Sequence, residues 1–398
     1  MKLPRAAWQE REGMAALLRA LGGEAGDTRF VGGCVRDTLL GLAVSDVDLA
    51  TRLPPEEVMR RLRKAKIKAV PTGLAHGTVT AIVAGAPVEV TTLRRDVSTD
   101  GRRATVAFTD DWREDAARRD FTINALSADP ASRRVFDYFD GEADLAQRRV
   151  RFIGDPLTRI AEDHLRILRF FRFHARFGAG APDAAGLHAC AERADDLMAL
   201  SRERIADELM KLLALPSPAG TVALMIHRGI LKPVLPEIES AERLARLIDR
   251  EAEAKVAPDP VRRLAALLPP DPEVAAAVAA RLRLSKRISK RLASAVVPDD
   301  LSPPAILAYA VGAEDAVDRI LLGPRDARAA ASLVGWTRPK LALGGGDLVA
   351  MGLEPGPDVA RTLRAVERSW GEAGFPADAE AQRALARAAV DQALRARQ

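Results

Sequence analysis

The sequence predicts an α+β protein: an α/β head over residues 1–150, then helices alone toward the C-terminus. Three observations predict it. Up to about residue 150, short apolar runs of strand type alternate with helical patterns, the arrangement that lets helices cover a sheet. Beyond that point the strand-like runs stop. Long helical stretches follow, broken at Pro216–Pro218, Pro258–Pro260, Pro269–Pro272 and Pro303–Pro304. Finally, a hydrophobic share of 48% over 398 residues supplies real cores, enough for roughly two to four units of ~150 residues.

Residues 6–22 place Leu17, Leu18 and Leu21 on one side and read as an amphipathic helix. Arg29–Val31 reads as a strand, followed by Gly32-Gly33 and a helical run over 35–40. Glycines let backbone N–H groups approach a phosphate, and the next helix N-terminus adds free donors and a positive dipole end. Arg36, on its first turn, can add a bidentate phosphate contact. Taken alone, Gly-Gly before a helix also suits an ordinary turn.

Asp46–Thr51 reads as a strand whose alternation puts Asp46 and Asp48 on one face, with Val47 and Leu49 on the other. Two adjacent carboxylates repel unless a cation lies between them, and hard oxygens suit Mg²⁺. With a triphosphate completing the coordination, two ions about 3.5–4 Å apart can clamp attacking and leaving oxygens. A lone Asp-x-Asp is equally compatible with a turn or a solvated strand end.

Pro54-Pro55-Glu56-Glu57 opens the next helix, and strands follow at Ile67–Val70, Gly77–Ala84 and Pro87–Leu93. In the last strand Val88 and Val90 face the core and Glu89 the other side. Glu89 is a solvent-facing residue or, beside an Asp pair, a third acid that binds metal or takes a proton from an attacking hydroxyl. Residues 94–111 are polar, carry Gly101, and read as a loop or irregular hairpin. In the stretch Arg118–Leu126, Arg119 can neutralise a triphosphate and Asp120 can hold an arginine in place or cap a helix. Asn124 can donate to a sugar or base.

Asp155-Pro156 begins a long helix that Gly178 ends. Ile160, Leu165, Leu168, Phe171 and Phe173 point inward, while Asp163, Arg166, Arg169 and Arg172 recur every three residues as a drifting stripe. Such a stripe is commonly a salt-bridged surface. It has a second use, because a carboxylate accepts from an exocyclic amine and an arginine fork donates to ring nitrogen and carbonyl oxygen. An Asp–Arg pair therefore imitates the pairing edge of a base. Ser201 reads as the N-cap of the next helix. Farther on, Arg281, Arg283, Lys286, Arg287, Lys290 and Arg291 cluster as a solvated face or a surface for an RNA backbone.

Composition excludes several classes. Cys34 and Cys190 are the only cysteines and lack paired spacing, which argues against a disulfide framework or zinc site and fits a reducing, cytoplasmic setting. The five histidines are scattered and none precedes an Asp directly, so no phosphohydrolase of the His-Asp type is expected. The N-terminus carries charges rather than an apolar core, and no apolar run approaches a membrane span. The net charge of +5 rests mostly on arginines, consistent with a polyanionic partner or with a genome-wide compositional bias.

Five ordered motifs carry a resemblance. They are GG-x-VRD followed by D-x-D (residues 32–48), RRDFT-x-NA (118–125), ED-x-x-R (162–166), S-x-ERI-x-x-EL (201–209) and GDL…G-x-x-PGP (346–357). In this the chain resembles the class II tRNA nucleotidyltransferases and bacterial poly(A) polymerases. The resemblance implies a nucleotidyltransferase head at 1–150, a helical neck at 151–240, and a body and tail at 241–398 that bind tRNA. It implies template-independent addition of CCA to the tRNA 3′ end from CTP and ATP, with release of pyrophosphate.

Asp46, Asp48 and Glu89 are then the catalytic residues, with Mg²⁺ on Asp46 and Asp48. Gly32, Gly33, Arg36, Arg119 and Asn124 bind the nucleotide. Asp163 and Arg166 select the base, and Arg169 and Arg172 add contacts. By the same resemblance, residues 94–111 assist the final addition, and the 201–209 stretch is supporting structure. Poly(A) polymerase, or an enzyme adding only CC or only A, is the nearest alternative. Residues 71–80 lack the basic G-[KR]-[KR]-F segment associated with the polymerases, which favours CCA addition. A small-molecule nucleotidyltransferase would lack the 162–166 motif and the helical tail. A non-catalytic RNA-binding protein would have lost one of the three acids.

Overall fold

In the computed structural model, which describes residues 1–99 and 104–396, the chain divides into two units, Met1–Pro236 and Glu237–Gln398. The first unit holds β1 (Thr28–Val31), β2 (Asp48–Thr51), β3 (Ala69–Gly73), β4 (Thr78–Val83) and β5 (Ala86–Thr92). A hairpin of β6 (Arg94–Thr99) and β7 (Ala104–Phe108) follows, then two-residue strands β8 (Ser127–Ala128) and β9 (Val135–Phe136). Seven strands form one sheet in the order β3-β4-β5-β2-β1-β8-β9. Every neighbouring pair in it is antiparallel except β2 with β5. That parallel pair sets Asp48 opposite Glu89 and Leu49 opposite Val90.

Alternation explains which side each residue takes. Val88 and Val90 are fully buried and Glu89 between them is exposed, as period-two patterning requires. The helices of this unit are α1 (Met14–Ala20), α2 (Gly33–Leu39), α3 (Pro55–Lys64), α4 (Trp112–Ala117) and α5 (Gly141–Ala146). After them come α6 (Pro156–Glu162), α7 (Arg166–Phe177), α8 (Ala184–Glu192), α9 (Arg202–Leu213) and α10 (Ala219–His227). Leu17, Leu21, Val58 and Leu62 are buried from α1 and α3. Phe121, Phe152, Phe170 and Phe173 form an aromatic cluster, with ring centroids 5.0–6.3 Å apart, that ties residues 118–126 to α7.

The second unit, over its described residues, contains helices only. These are α11 (Glu242–Glu253), α12 (Pro260–Leu267), α13 (Pro272–Arg281), α14 (Lys286–Ala295), α15 (Pro304–Val311) and α16 (Ala313–Leu322). They continue as α17 (Arg328–Ala331), α18 (Gly345–Ala350), α19 (Pro357–Glu372) and α20 (Ala379–Arg395). Prolines stand in the first turn of α12, α13 and α15, where the missing N–H costs no helical bond.

Several local expectations change. Residues 6–22 are not one helix: a 3₁₀ turn at Ala7–Glu10 is separated from α1 by Gly13, whose φ of +81° no helix accepts. The strand expected at 46–51 begins at Asp48, leaving Asp46 in the preceding loop. The helix expected to run to Gly178 breaks at Asp163, which is extended (φ −153°, ψ 104°). Within the 94–111 stretch, β6 and β7 pair as antiparallel strands, and residues 100–103, with Gly101, lie outside the described residues. Ser201 precedes α9 without a side-chain capping bond. The basic cluster is not one surface. Arg291 is buried against Asp318, Asp259 and Glu314, and Arg281 forks onto Glu237 at 2.6 and 2.9 Å.

Candidate active site

A cleft of about 430 Å³ opens in the first unit, within the size range of small-molecule sites. Gly32, Gly33 and Arg36 line one side, and Asp48 lines it as well. Arg119, Asp120 and Asn124 form a second wall, and Asp163, Arg166, Arg169 and Phe173 a third. Four arginines against three carboxylates give a site suited to a polyanion held beside a cation.

Gly32 makes the first wall possible. Its φ of +69° with ψ −125° is a glycine conformation, and an added Cβ would stand 2.9 Å from an Arg119 Nη. The guanidinium can thus lie against the main chain. Arg119 itself is held loosely, with contacts of 3.4 Å to the Asn124 carbonyl and to Asp115.

Asp48 is half-buried and its carboxyl is pushed up to about 6. Burial is the main cause, the Glu89 charge adds to it, and Asp46 adds a little, while Arg119 works against them. Asp48 and Glu89 share a face because they are register partners on parallel strands ~4.8 Å apart. Asp46 is exposed and accepts from the Ser45 hydroxyl at 2.7 Å. Asp46 and Glu89 therefore flank the cleft rather than line it. Among the described residues no three His, Cys, Asp or Glu side chains form a ready-made metal cage. The donor set nevertheless fits a hard divalent ion. The Glu89 and Asp46 charges act on the Asp48 carboxylate at an electrostatic cost that a cation would relieve, and a triphosphate brings further oxygens.

Several arginines expected to touch nucleotide directly have internal partners. Arg36 is buried, donates to Asp37 through Nε at 2.8 Å, and donates to the Asn124 side-chain oxygen. Asn124 in turn donates to Asp120 at 2.9 Å, so its amide is a bridge between α2 and the 118–126 stretch. Arg169 forks onto Asp120. Burial favours the neutral Asp120 acid, but the Arg169 charge and bonds from Asn124, Arg169 and the Phe121 N–H hold its carboxyl below the usual range.

The stripe expected along one helix is divided. Asp163 sits in the break between α6 and α7, where its side chain accepts from the Leu165 N–H at 3.1 Å. Arg204 of α9 reaches both Asp163 oxygens at 3.1 and 2.9 Å. Arg166 donates to Glu162 and to the Arg159 and Arg118 carbonyls. Arg172 stands away from the cleft and bonds Glu208 at 2.6 Å.

Arg159 is not among the residues the sequence singles out, whereas Arg204 and Glu208 belong to the 201–209 stretch read there as supporting structure, and they hold Asp163 and Arg172. Arg159 is buried and donates to the Arg118 and Arg119 carbonyls, both at 2.6 Å, which fixes the backbone that carries Arg119. Glu208 is 3% exposed. A signal for it exists: a carboxylate between Ile205, Leu209 and Leu212 on the apolar side of a helix needs a buried cation.

The profile described as "Poly A polymerase head domain" matches residues 28–151, and "Probable RNA and SrmB- binding site of polymerase A" matches 183–242. The chain is 33% identical over 382 residues to the mitochondrial CCA tRNA nucleotidyltransferase 1 of Mus musculus, covering 92% of this chain and 87% of that one. It is 38% identical over 224 residues to the CCA-adding enzyme of Geobacillus stearothermophilus, 56% of this chain and 54% of that one. The crystal structure of the Bacillus stearothermophilus CCA-adding enzyme in complex with CTP superposes with a TM-score of 0.72 at 27% identity, covering 89% and 92% of the two chains. The fold is also that of the Thermotoga maritima CCA-adding enzyme complexed with tRNA, at a TM-score of 0.66 and 19% identity over 96% and 95%.

Proposed function

The chain belongs to the CCA tRNA nucleotidyltransferases, enzymes that add the tRNA 3′-terminal CCA without a template, and we propose that the cleft beside β2 and α7 performs the transfer. The observation that carries this assignment is the in-register pair Asp48 and Glu89, of which Asp48 lines a cleft walled by arginines and Glu89 flanks it. CTP and ATP are the nucleotides and the 3′ end of tRNA is the acceptor.

In this reading the triphosphate lies along Gly32 and Gly33, with Arg119 swung from its loose contacts onto it. Enzymes of this family use a divalent metal. We assign Mg²⁺ to Asp46 and Asp48, where it supplies positive charge to the triphosphate and the attacking oxygen. Glu89 takes the proton of the RNA 3′-hydroxyl. The 3′-oxygen forms a bond to the α-phosphorus, the bond to the β-phosphate bridge breaks, and pyrophosphate leaves.

Asp163 and Arg166 read the base edge, and Arg204 and Glu162 hold them in orientation until the nucleotide arrives. Arg36 and Asn124 act as positioning residues for the 118–126 wall, Arg169 lies between that wall and the base, and Arg172 acts through Glu208. Residues 1–150 carry catalysis, 151–240 nucleotide recognition, and 241–398 tRNA binding. Among the described residues no helix is long and apolar enough to cross a membrane. A reducing cytoplasm is supported by Cys34 and Cys190, both buried and free.

The test gives the protein, with Mg²⁺, a tRNA transcript lacking its 3′ end and labelled CTP and ATP. Growth by two C residues and one A, then arrest, is expected. A ladder of A would overturn the assignment in favour of poly(A) synthesis.

A further inference from the structure

A second concave surface lies on the same unit, between α1 and α3, and shares no residue with the catalytic cleft. It encloses about 620 Å³. One wall is Arg19 with Ala16 and Ala20, the other Arg60, Arg61 and Lys64. No carboxylate, amide or aromatic side chain lines it. We propose that this groove binds the phosphate backbone of duplex RNA, as a docking surface for a stem of the tRNA substrate.

The argument is one of charge and shape. Four cations from two helices line one groove. Among the described residues only Arg60 and Arg61 of these share a carboxylate, Glu57, so the groove keeps an excess of positive charge that suits an anion. Glu57, outside the lining, accepts from Arg60 at 2.7 Å to each oxygen and from Arg61 at 2.6 Å. Those bonds hold its carboxyl down to about 2 and aim both guanidinium planes. Arg19 and Lys64 have no ion pair among the described residues, so their charge is available. Ala16 and Ala20, four residues apart on α1, keep the floor shallow, which lets a backbone come close.

The lining also states what is not read. Without aromatic rings there is no platform for unstacked bases. Without carboxylates or amides there is no acceptor for base amines. What remains is contact to phosphates, which is independent of sequence and suits the regular backbone of a stem. The proposal rests on tRNA being the substrate, and it adds a contact on the catalytic unit itself.

The experiment measures binding of full-length protein to a tRNA lacking CCA, from 50 to 250 mM salt. Arg19→Glu with Lys64→Glu is expected to weaken binding about tenfold at 100 mM and to flatten the log–log salt slope by about 1–2. Binding of a single-stranded oligonucleotide with the same 3′ sequence is expected to stay unchanged. Ala20→Lys, which adds a cation, is expected to tighten tRNA binding and steepen the slope. Unchanged tRNA affinity and slope in both variants would overturn the groove, and equal loss for the single strand would overturn its assignment to duplex. Wild-type CTP and ATP incorporation is scored separately, so failure of the enzymatic reading is distinguishable from failure of the groove.

Discussion

Asp48 and Glu89 stand opposite each other on neighbouring parallel strands, forty-one residues apart in the chain, and both carboxylates face away from the apolar core. The burial of Asp48, and after it the Glu89 charge, raise the Asp48 carboxyl to about 6 from an ordinary 3.8. A group raised in the fold contributes most to stability below its ordinary value and loses that contribution as pH rises to the folded one. Without metal, the Asp48 contribution should therefore be lost between about pH 4 and pH 6, read as the difference in thermal midpoint between wild type and Asp48→Asn across that window. Added Mg²⁺ should raise the midpoint more at pH 7.5 than at pH 5, and chelation should reverse this. Asp48→Asn should flatten the metal-free profile and cut incorporation by at least ~10³-fold, since the charge that holds the ion is gone. A metal response in Asp48→Asn equal to wild type would remove Asp48 as a ligand.

Gly32 sets the approach of Arg119 to the main chain. Gly32→Ala forces a side chain into a backbone conformation costing about 1–3 kcal/mol and crowds the guanidinium. Steady-state kinetics should show KM for both CTP and ATP raised about tenfold or more, with tRNA affinity kept. Equal KM values in mutant and wild type would place the triphosphate elsewhere.

The fork of Arg169 on Asp120 is partly shielded from water, with Asp120 9% exposed and the Arg169 side chain 31%. Breaking a fully buried pair costs ~3–5 kcal/mol, and Arg169's exposure brings the expected loss for Asp120→Asn to about 2 kcal/mol in urea unfolding. Because the Asp120 carboxyl is held below its ordinary value, its contribution is present above about pH 4 and disappears on further acidification. Acid sensitivity in that window should be weaker in Asp120→Asn than in wild type.

Arg204 grips Asp163 from another helix and should act on base selection rather than on the chemical step. Arg204→Ala releases the carboxylate, so misincorporation of UTP and GTP should rise about five- to thirty-fold, from a lost orientation worth about 1–2 kcal/mol. The thermal midpoint should move little, because both side chains are about one-third exposed. Unaltered discrimination with a lowered midpoint would reduce Arg204 to a structural residue.

The features legible in the sequence are those written within a few residues. Alternation around Glu89, the glycine turn into α2 and the prolines at helix starts all have local causes, since strand and helix periods repeat within one element; the alternation drawn through Asp46 stops short, because β2 begins only at Asp48. The helix drawn through Asp163 failed for the complementary reason. Its periodic pattern continues unbroken, while at the break the Asp163 side chain accepts from the Leu165 N–H and Arg204 holds it from forty-one residues away. Tertiary structure alone decided that β2 runs parallel to β5, which brings Glu89 to Asp48. It also decided that Arg169 and Arg172 are neutralised by Asp120 and Glu208, the first of them still lining the cleft. Charge patterns along a chain do not name their partners; packing does, because a buried arginine must find its carboxylate wherever the fold places one.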